Sequence, residues 1–179
     1  MKKILLIVFL SIGMSSSYAQ LMVSKLIGKY SNNSKVGYGT FAYFDWPLNE
    51  EQNSSFRLEI LDLALFPPVD ENTYSIIGYV SVKIGYKKIF SDTKTGIYVE
   101  PQAGYCRVVP YQYGLYDGVY GDGVALALET GYSLEVGQRG QTINFGLKYE
   151  NDIGSKSITA SSIGLRLSYS FNLFGRKNY

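Results

Sequence analysis

The chain has no histidine in 179 residues and only one cysteine, Cys106. The first absence removes the usual general base and the commonest metal ligand. A Ser–His–acid arrangement and any histidine-ligated metal site are therefore out of reach. A Ser–Lys dyad stays formally open, but no spacing marks one. The single cysteine rules out an intrachain disulfide, so an exported domain of this size must be held by a core or by a membrane. Cys106 itself reads as a small buried or lipid-facing residue. Charge is also scarce, at 18% Asp, Glu, Lys and Arg, and no basic cluster suggests a nucleic-acid partner. Past the N-terminal segment no apolar run approaches the about 20 residues of a membrane helix, and helical periodicity is hard to find.

The N-terminus reads as a secretory signal peptide. Lys2 and Lys3 precede an apolar run over residues 4–10, and Ser17-Tyr18-Ala19 places small residues at the two positions a signal peptidase inspects. Cleavage before Gln20 divides the chain into a signal, residues 1–19, and a mature domain, residues 20–179. Removing Lys2 and Lys3 takes the 17 basic residues to 15, equal to the 15 acidic ones, so the mature net charge is zero.

The remaining sequence alternates. In the last segment Ile163, Leu165, Leu167, Tyr169, Phe171 and Leu173 are apolar, while Gly164, Arg166, Ser168, Ser170 and Asn172 between them are small or polar. Successive side chains of a strand point to opposite faces, so this ribbon has one greasy and one wet side. The same period recurs over residues 74–87, 97–105, 124–136 and 142–150. Over residues 56–66 the phase slips after Ile60, and a one-residue bulge near Ile60 and Leu61 keeps Phe56, Leu58, Ile60, Leu61, Leu63 and Leu65 on one side. Residues 35–46 read as a noisier strand and residues 21–30 as the least regular one.

Turn chemistry separates these runs. With both termini on the periplasmic side, residues 47–55, 91–96 and 137–141 become inner turns. Of the outer connections, residues 109–123 and 151–161 are expected to be the longest. The result is an all-β, eight-stranded antiparallel up-and-down transmembrane β-barrel. Eight strands of about ten residues use half the mature chain, whereas a sixteen-stranded porin leaves nothing for loops.

Alternation alone does not choose the solvent, and a soluble lipocalin-like barrel holding a small apolar ligand is the alternative. Three features favour lipid outside. The polar face is rich in Gly85, Gly104, Gly131, Ser133, Gly146, Gly164 and Ser168, as a narrow interior requires. Aromatics gather near strand ends, with Phe66, Tyr74, Tyr105 and Tyr149 expected at the outer rim and Trp46, Tyr86, Phe90, Phe171 and Phe174 at the inner one. The final amphipathic strand can close against the first, so that no backbone edge faces hydrocarbon.

With the signal of residues 1–19, the segment Gly96-Ile97-Tyr98-Val99-Glu100-Pro101-Gln102-Ala103-Gly104-Tyr105 and the closing residues 163–174, the chain resembles the small outer-membrane β-barrel proteins of Gram-negative bacteria, of the eight-stranded OmpX-like kind. The resemblance is one of pattern over the mature chain. Residues 175–179 depart from it, because they continue past the aromatic end. It implies localisation in the cell outer membrane, with lipid as the main partner.

By phase, Arg57, Glu59, Asp62, Lys83, Glu100, Glu129, Glu135, Lys148, Glu150 and Arg166 project to the polar face. A barrel this narrow has no bulk water inside, so these charges are expected to form a structural ion-pair network, with Arg166 pairing Glu129, Glu100 or Glu150. Tyr111, Tyr113, Tyr116 and Tyr120, interleaved with glycines, form a candidate surface-contact loop. No catalytic, cofactor-binding or metal residues are expected. The function expected is non-enzymatic: a monomer with a structural role, or one that meets an unidentified surface ligand through its outer loops.

Overall fold

The computed structural model describes residues 15–69, 76–111, 121–136, 141–154 and 159–172. They form eight strands: β1 (Ser15–Ile27), β2 (Gly37–Pro47), β3 (Ser54–Phe66), β4 (Ile76–Ile89), β5 (Gly96–Tyr111), β6 (Gly121–Val136), β7 (Gln141–Gly154) and β8 (Thr159–Asn172). Each strand pairs antiparallel with its neighbour in sequence, and β1 pairs with β8 to close the barrel. Closure leaves no unpaired edge, the one sheet geometry whose backbone needs no help from solvent. The lower rim is where β1 begins and β8 ends; the upper rim is opposite.

The bulge in β3 is where the phase slips. Ala42 of β2 faces Leu61 while the next residue, Tyr43, faces Glu59, so Ile60 is the extra residue. Against β4 the register likewise skips from Glu59 to Asp62. The slip keeps Arg57, Glu59 and Asp62 inside while Phe56 and Ile60 stay outside.

Two boundaries differ from expectation. β1 starts at Ser15, within the expected signal, and ends at Ile27, where Gly28 turns the chain with φ +76° into a short 3-10 turn, Gly28–Asn33. Lys25, on the outward face of β1, donates to the carbonyls of Ser31 and Ser34 and ties that turn to the wall. The second difference is a correction. The connection expected over residues 151–161 is short, because β7 and β8 continue through it and only residues 155–158 lie between them. Asn151, Asp152 and Ile153 pair with Ser161, Ala160 and Thr159, and the Ser161 hydroxyl donates to Asn151 Oδ1 at 2.9 Å. Residues favoured in turns here extend a hairpin, since cross-strand partners satisfy them. The other upper connections run over 28–36, 67–75 and 112–120, and the lower ones over 48–53, 90–95 and 137–140.

The wall is inside out relative to a water-soluble barrel. Leu165 is 65% exposed and Ile97 60%, and Val82, Ile84, Val124, Leu126, Leu128, Phe145 and Leu147 also face outward. Arg57, Lys83, Glu100 and Glu150 are almost wholly buried. The soluble alternative, which needs the apolar face inward, is opposite to this arrangement.

Candidate functional site

The interior is built in layers. In the middle, alternate positions of β3, β4, β6, β7 and β8 aim charged side chains at the barrel axis. Arg166 Nη2 lies 2.7 Å from Glu59 Oε2 and its Nη1 2.8 Å from Glu129 Oε2, while its guanidinium stacks 3.4 Å from the Phe41 ring centre. Lys83 Nζ reaches Glu59 at 3.0 Å, Asp62 at 2.7 Å and Glu150 at 2.9 Å, and also donates to the Ser81 hydroxyl. Lys148 pairs with Asp62 and Glu150 from the opposite wall. Two ammonium groups thus share three carboxylates, which keeps charge of both signs compensated where water is excluded.

Below this layer Arg57 bonds Asp45 through Nε and Nη2 at 2.7 and 2.8 Å, and Glu100 through Nη1 at 2.9 Å. Its guanidinium lies 3.7 Å from the centre of the Tyr43 ring. The Tyr98 hydroxyl donates to Glu129 at 2.5 Å. Lys87 donates to Asn144 Oδ1 at 2.7 Å and sits 4.3 Å above the Tyr98 ring. The interactions therefore tie together side chains from β2 through β8.

The small residues of the polar face make room for these long ones. A Cβ added at Gly146 would stand 2.4 Å from Glu129 Oε1 and 2.6 Å from the Tyr98 hydroxyl. One added at Gly104 would come within 2.8 Å of the Lys83 stem and 2.0 Å of the Val82 carbonyl. Glycine is thus required beside the charged groups for space.

Above the charges lies an apolar plug of Met22, Leu26, Phe41, Ala64, Phe66, Tyr79, Val108 and Ala160. The Phe66 and Tyr79 rings are 5.7 Å apart. Phe66 is therefore a lumen residue, which corrects its expected place at the outer rim; after the bulge it shares the inward phase of Asp62 and Ala64. Cys106 is buried at this level, near Asp152.

The nine charged residues expected in the lumen, Arg57, Glu59, Asp62, Lys83, Glu100, Glu129, Lys148, Glu150 and Arg166, all lie there and take part in ion pairs. For Arg166 the partners are Glu129 and Glu59 rather than Glu100 or Glu150. Glu135 is corrected: it is exposed near the lower end of β6, where the wall is no longer closed over it. Asp45, Lys87, Tyr98 and Asp152 are further lumen residues that the sequence reading did not single out. Lys87 shares the phase of Lys83, and Asp152 that of Lys148 and Glu150, but Asp152 fell in a segment that looked like loop. Tyr111 ends β5, and the rest of the tyrosine loop, Tyr113, Tyr116 and Tyr120, lies outside the described residues. Tyr74 and Phe174 also lie outside them.

On the outer wall the apolar band stops at an ion pair. Arg107 Nε lies 2.6 Å from Asp122 Oδ1 on the neighbouring strand, with both side chains nearly half exposed. From Ile97 to Tyr105, just below it, eight residue steps cover about 27 Å of strand, or about 21 Å along the axis at a tilt of about 40°. That approaches the apolar band of about 25 Å that membrane barrels present. Among the described residues no group of His, Cys, Asp or Glu is arranged to hold a metal ion.

No protein-family model and no characterised protein matches the chain by sequence. By shape it is similar to Neisserial surface protein A (NspA), with a TM-score of 0.67 at 12% identity over 89% of this chain and 96% of that one. It is also similar to Ail, the attachment invasion locus protein of Yersinia pestis, with a TM-score of 0.54 at 15% identity over 89% of this chain and 99% of that one. Ail has been solved as well in complex with the heparin analogue sucrose octasulfate. At these identities the likeness is one of fold, and the fold is the closed eight-stranded antiparallel barrel.

Proposed function

We propose that the protein is an integral outer-membrane barrel, exported by residues 1–19 and inserted as a monomer of residues 20–179, that works without catalysis. Its cylinder is a rigid mount for the upper connections, and those connections meet a surface ligand. One observation carries this reading: the apolar side chains face out along a band of membrane height, while the charges face in and are paired. Hydrocarbon is the solvent that such a wall fits.

Several features support the non-catalytic part. The lumen carboxylates and cations are committed to one another, and the apolar plug of Phe41, Phe66 and Tyr79 stands between them and the upper rim. The same plug makes a sealed cylinder rather than a pore. The surface-contact part rests on the tyrosine- and glycine-rich residues 111–121, and on Ail as a barrel of the same fold that takes a sulfated sugar.

Expression of the full chain in a Gram-negative host tests the location. The protein is expected in the outer-membrane fraction, to need detergent for extraction, and to migrate differently on gels before and after boiling. A folded protein that stays in solution without detergent overturns the proposal. In planar bilayers the barrel is expected to show no steady conductance. Deleting residues 112–120 should leave the heat-dependent gel shift intact and abolish binding to whole-cell or glycan surfaces that the intact protein recognises.

A further inference from the structure

Gln20 lies within β1, in register with Ser168 of β8, and its carbonyl accepts a hydrogen bond from the Thr40 hydroxyl of β2 at 3.0 Å. Its side chain is turned into the lumen and is 7% exposed. Neither amide atom, Nε2 or Oε1, has a hydrogen-bond partner among the described residues. Buried polar groups are normally satisfied, so a primary amide with both ends unmet calls for an explanation.

The bond before it, between Ala19 and Gln20, is the one that the export reading marks for cleavage. Both residues are paired with β8, Ala19 with Tyr169 and Gln20 with Ser168. A peptide bond inside a closed sheet cannot enter a protease, so cleavage precedes closure of the barrel. It leaves an α-ammonium group on Gln20 in the wall. The row of residues in register there runs Ser133, Asn144, Ser168, Gln20, all uncharged. A cation in the wall with no acid in its row is poorly compensated.

We propose that Gln20 of the mature chain is converted to pyroglutamate, an inference that rests on the export reading above. The α-amine attacks the Gln20 side-chain Cδ. The Nα–Cδ bond of a five-membered lactam forms and the Cδ–Nε2 bond breaks. Nε2 leaves as ammonium, taking up the two protons that the α-ammonium gives up as it becomes the lactam N–H. The reaction is intramolecular, hydrolytically neutral and needs no co-reactant. An α-amine titrates at about 7.7–8.0, so a fraction is free to react at neutral pH. The product has lost both the wall's uncompensated charge and the unmet Nε2, and it keeps one N–H to donate to the ladder.

The test is intact-mass and N-terminal peptide mass spectrometry, with Edman sequencing, on protein isolated from outer membranes after expression of the full chain. The expected chain starts at residue 20, is one ammonia lighter than the sequence of residues 20–179, and is refractory to Edman degradation. The Gln20→Asn protein, whose side chain is too short for the five-membered ring, should carry the unmodified mass and sequence normally. A mature chain starting at residue 20 with a free amine overturns the cyclisation while leaving export intact. A chain starting anywhere else overturns the export reading and this inference with it.

Discussion

Replacing Arg166 with Met is the sharpest test of a dry, mutually compensated lumen. The guanidinium bridges Glu59 and Glu129 at 2.7 and 2.8 Å, and all three groups are buried. The two carboxylates fare differently without it. Glu59 keeps Lys83 at 3.0 Å and Lys148 at 3.5 Å, whereas among the described residues Glu129 retains the Tyr98 hydroxyl as a hydrogen-bond partner and no direct ion pair. Removing one partner of a buried ion pair costs about 3–5 kcal/mol, mainly because the remaining charge is stranded. R166M is therefore expected to lower unfolding stability in detergent by about that much, about two to three and a half orders of magnitude in the equilibrium constant at about 1.4 kcal/mol per tenfold. The measurement is denaturant unfolding followed by the gel shift between folded and boiled forms. Adding Glu129→Gln to R166M neutralises the stranded group and should recover at least about 1 kcal/mol, within the range of coupling seen for contacting residues. Glu59→Gln should recover less, since that carboxylate retains two cations. A loss below about 1 kcal/mol for R166M, the range of solvent-exposed pairs, would mean that water reaches the network and that the lumen argument is wrong.

Other perturbations read other parts of the barrel. Gly146→Val forces a side chain into Glu129 and Tyr98, and is expected to destabilise by about 1–3 kcal/mol in the same unfolding assay, as overpacking does. Leu165→Arg puts a charge on the outer wall near mid-strand and should cost about 2–4 kcal/mol in lipid vesicles, where folding yield falls; an unchanged yield would argue against hydrocarbon at that face. Phe66→Ala opens the plug against Tyr79 and should cost about 3–5 kcal/mol, with intermittent ion conductance appearing in planar bilayers. Arg107→Ala, by contrast, removes a solvent-exposed pair at the top of the apolar band and should leave the unfolding midpoint in the same assay nearly unchanged.

Much of this molecule follows from a period of two. Alternation through β5 to β8 assigns Glu100, Glu129, Lys148, Glu150 and Arg166 to one face and Ile97, Leu126, Leu147 and Leu165 to the other. The phase slip in β3 calls for one extra residue near Ile60 and Leu61, because Arg57 and Asp62 are an odd number of residues apart and share the wet side only with a bulge between them. These are local facts, since strand geometry fixes the direction of each side chain as soon as its neighbour's is known. The absence of histidine sets chemical limits in the same local way.

Tertiary structure decided what local patterning has no access to. Arg166 was free to choose among several carboxylates on the same face, and only shear and closure of the barrel put Glu59, distant in sequence, within 2.7 Å of it. Phe66 and Phe41 are apolar residues on the wet side of their strands. Their place in the lumen depends on Met22, Leu26 and Tyr79 arriving from other strands to cover them. The hairpin at residues 151–161 is likewise a matter of partners, because Asn, Asp and Ser take a strand conformation there only when the opposite strand supplies their cross-strand contacts. Which way a side chain points is set by its own strand. What it meets is set by the curvature of the closed sheet, which no single segment carries.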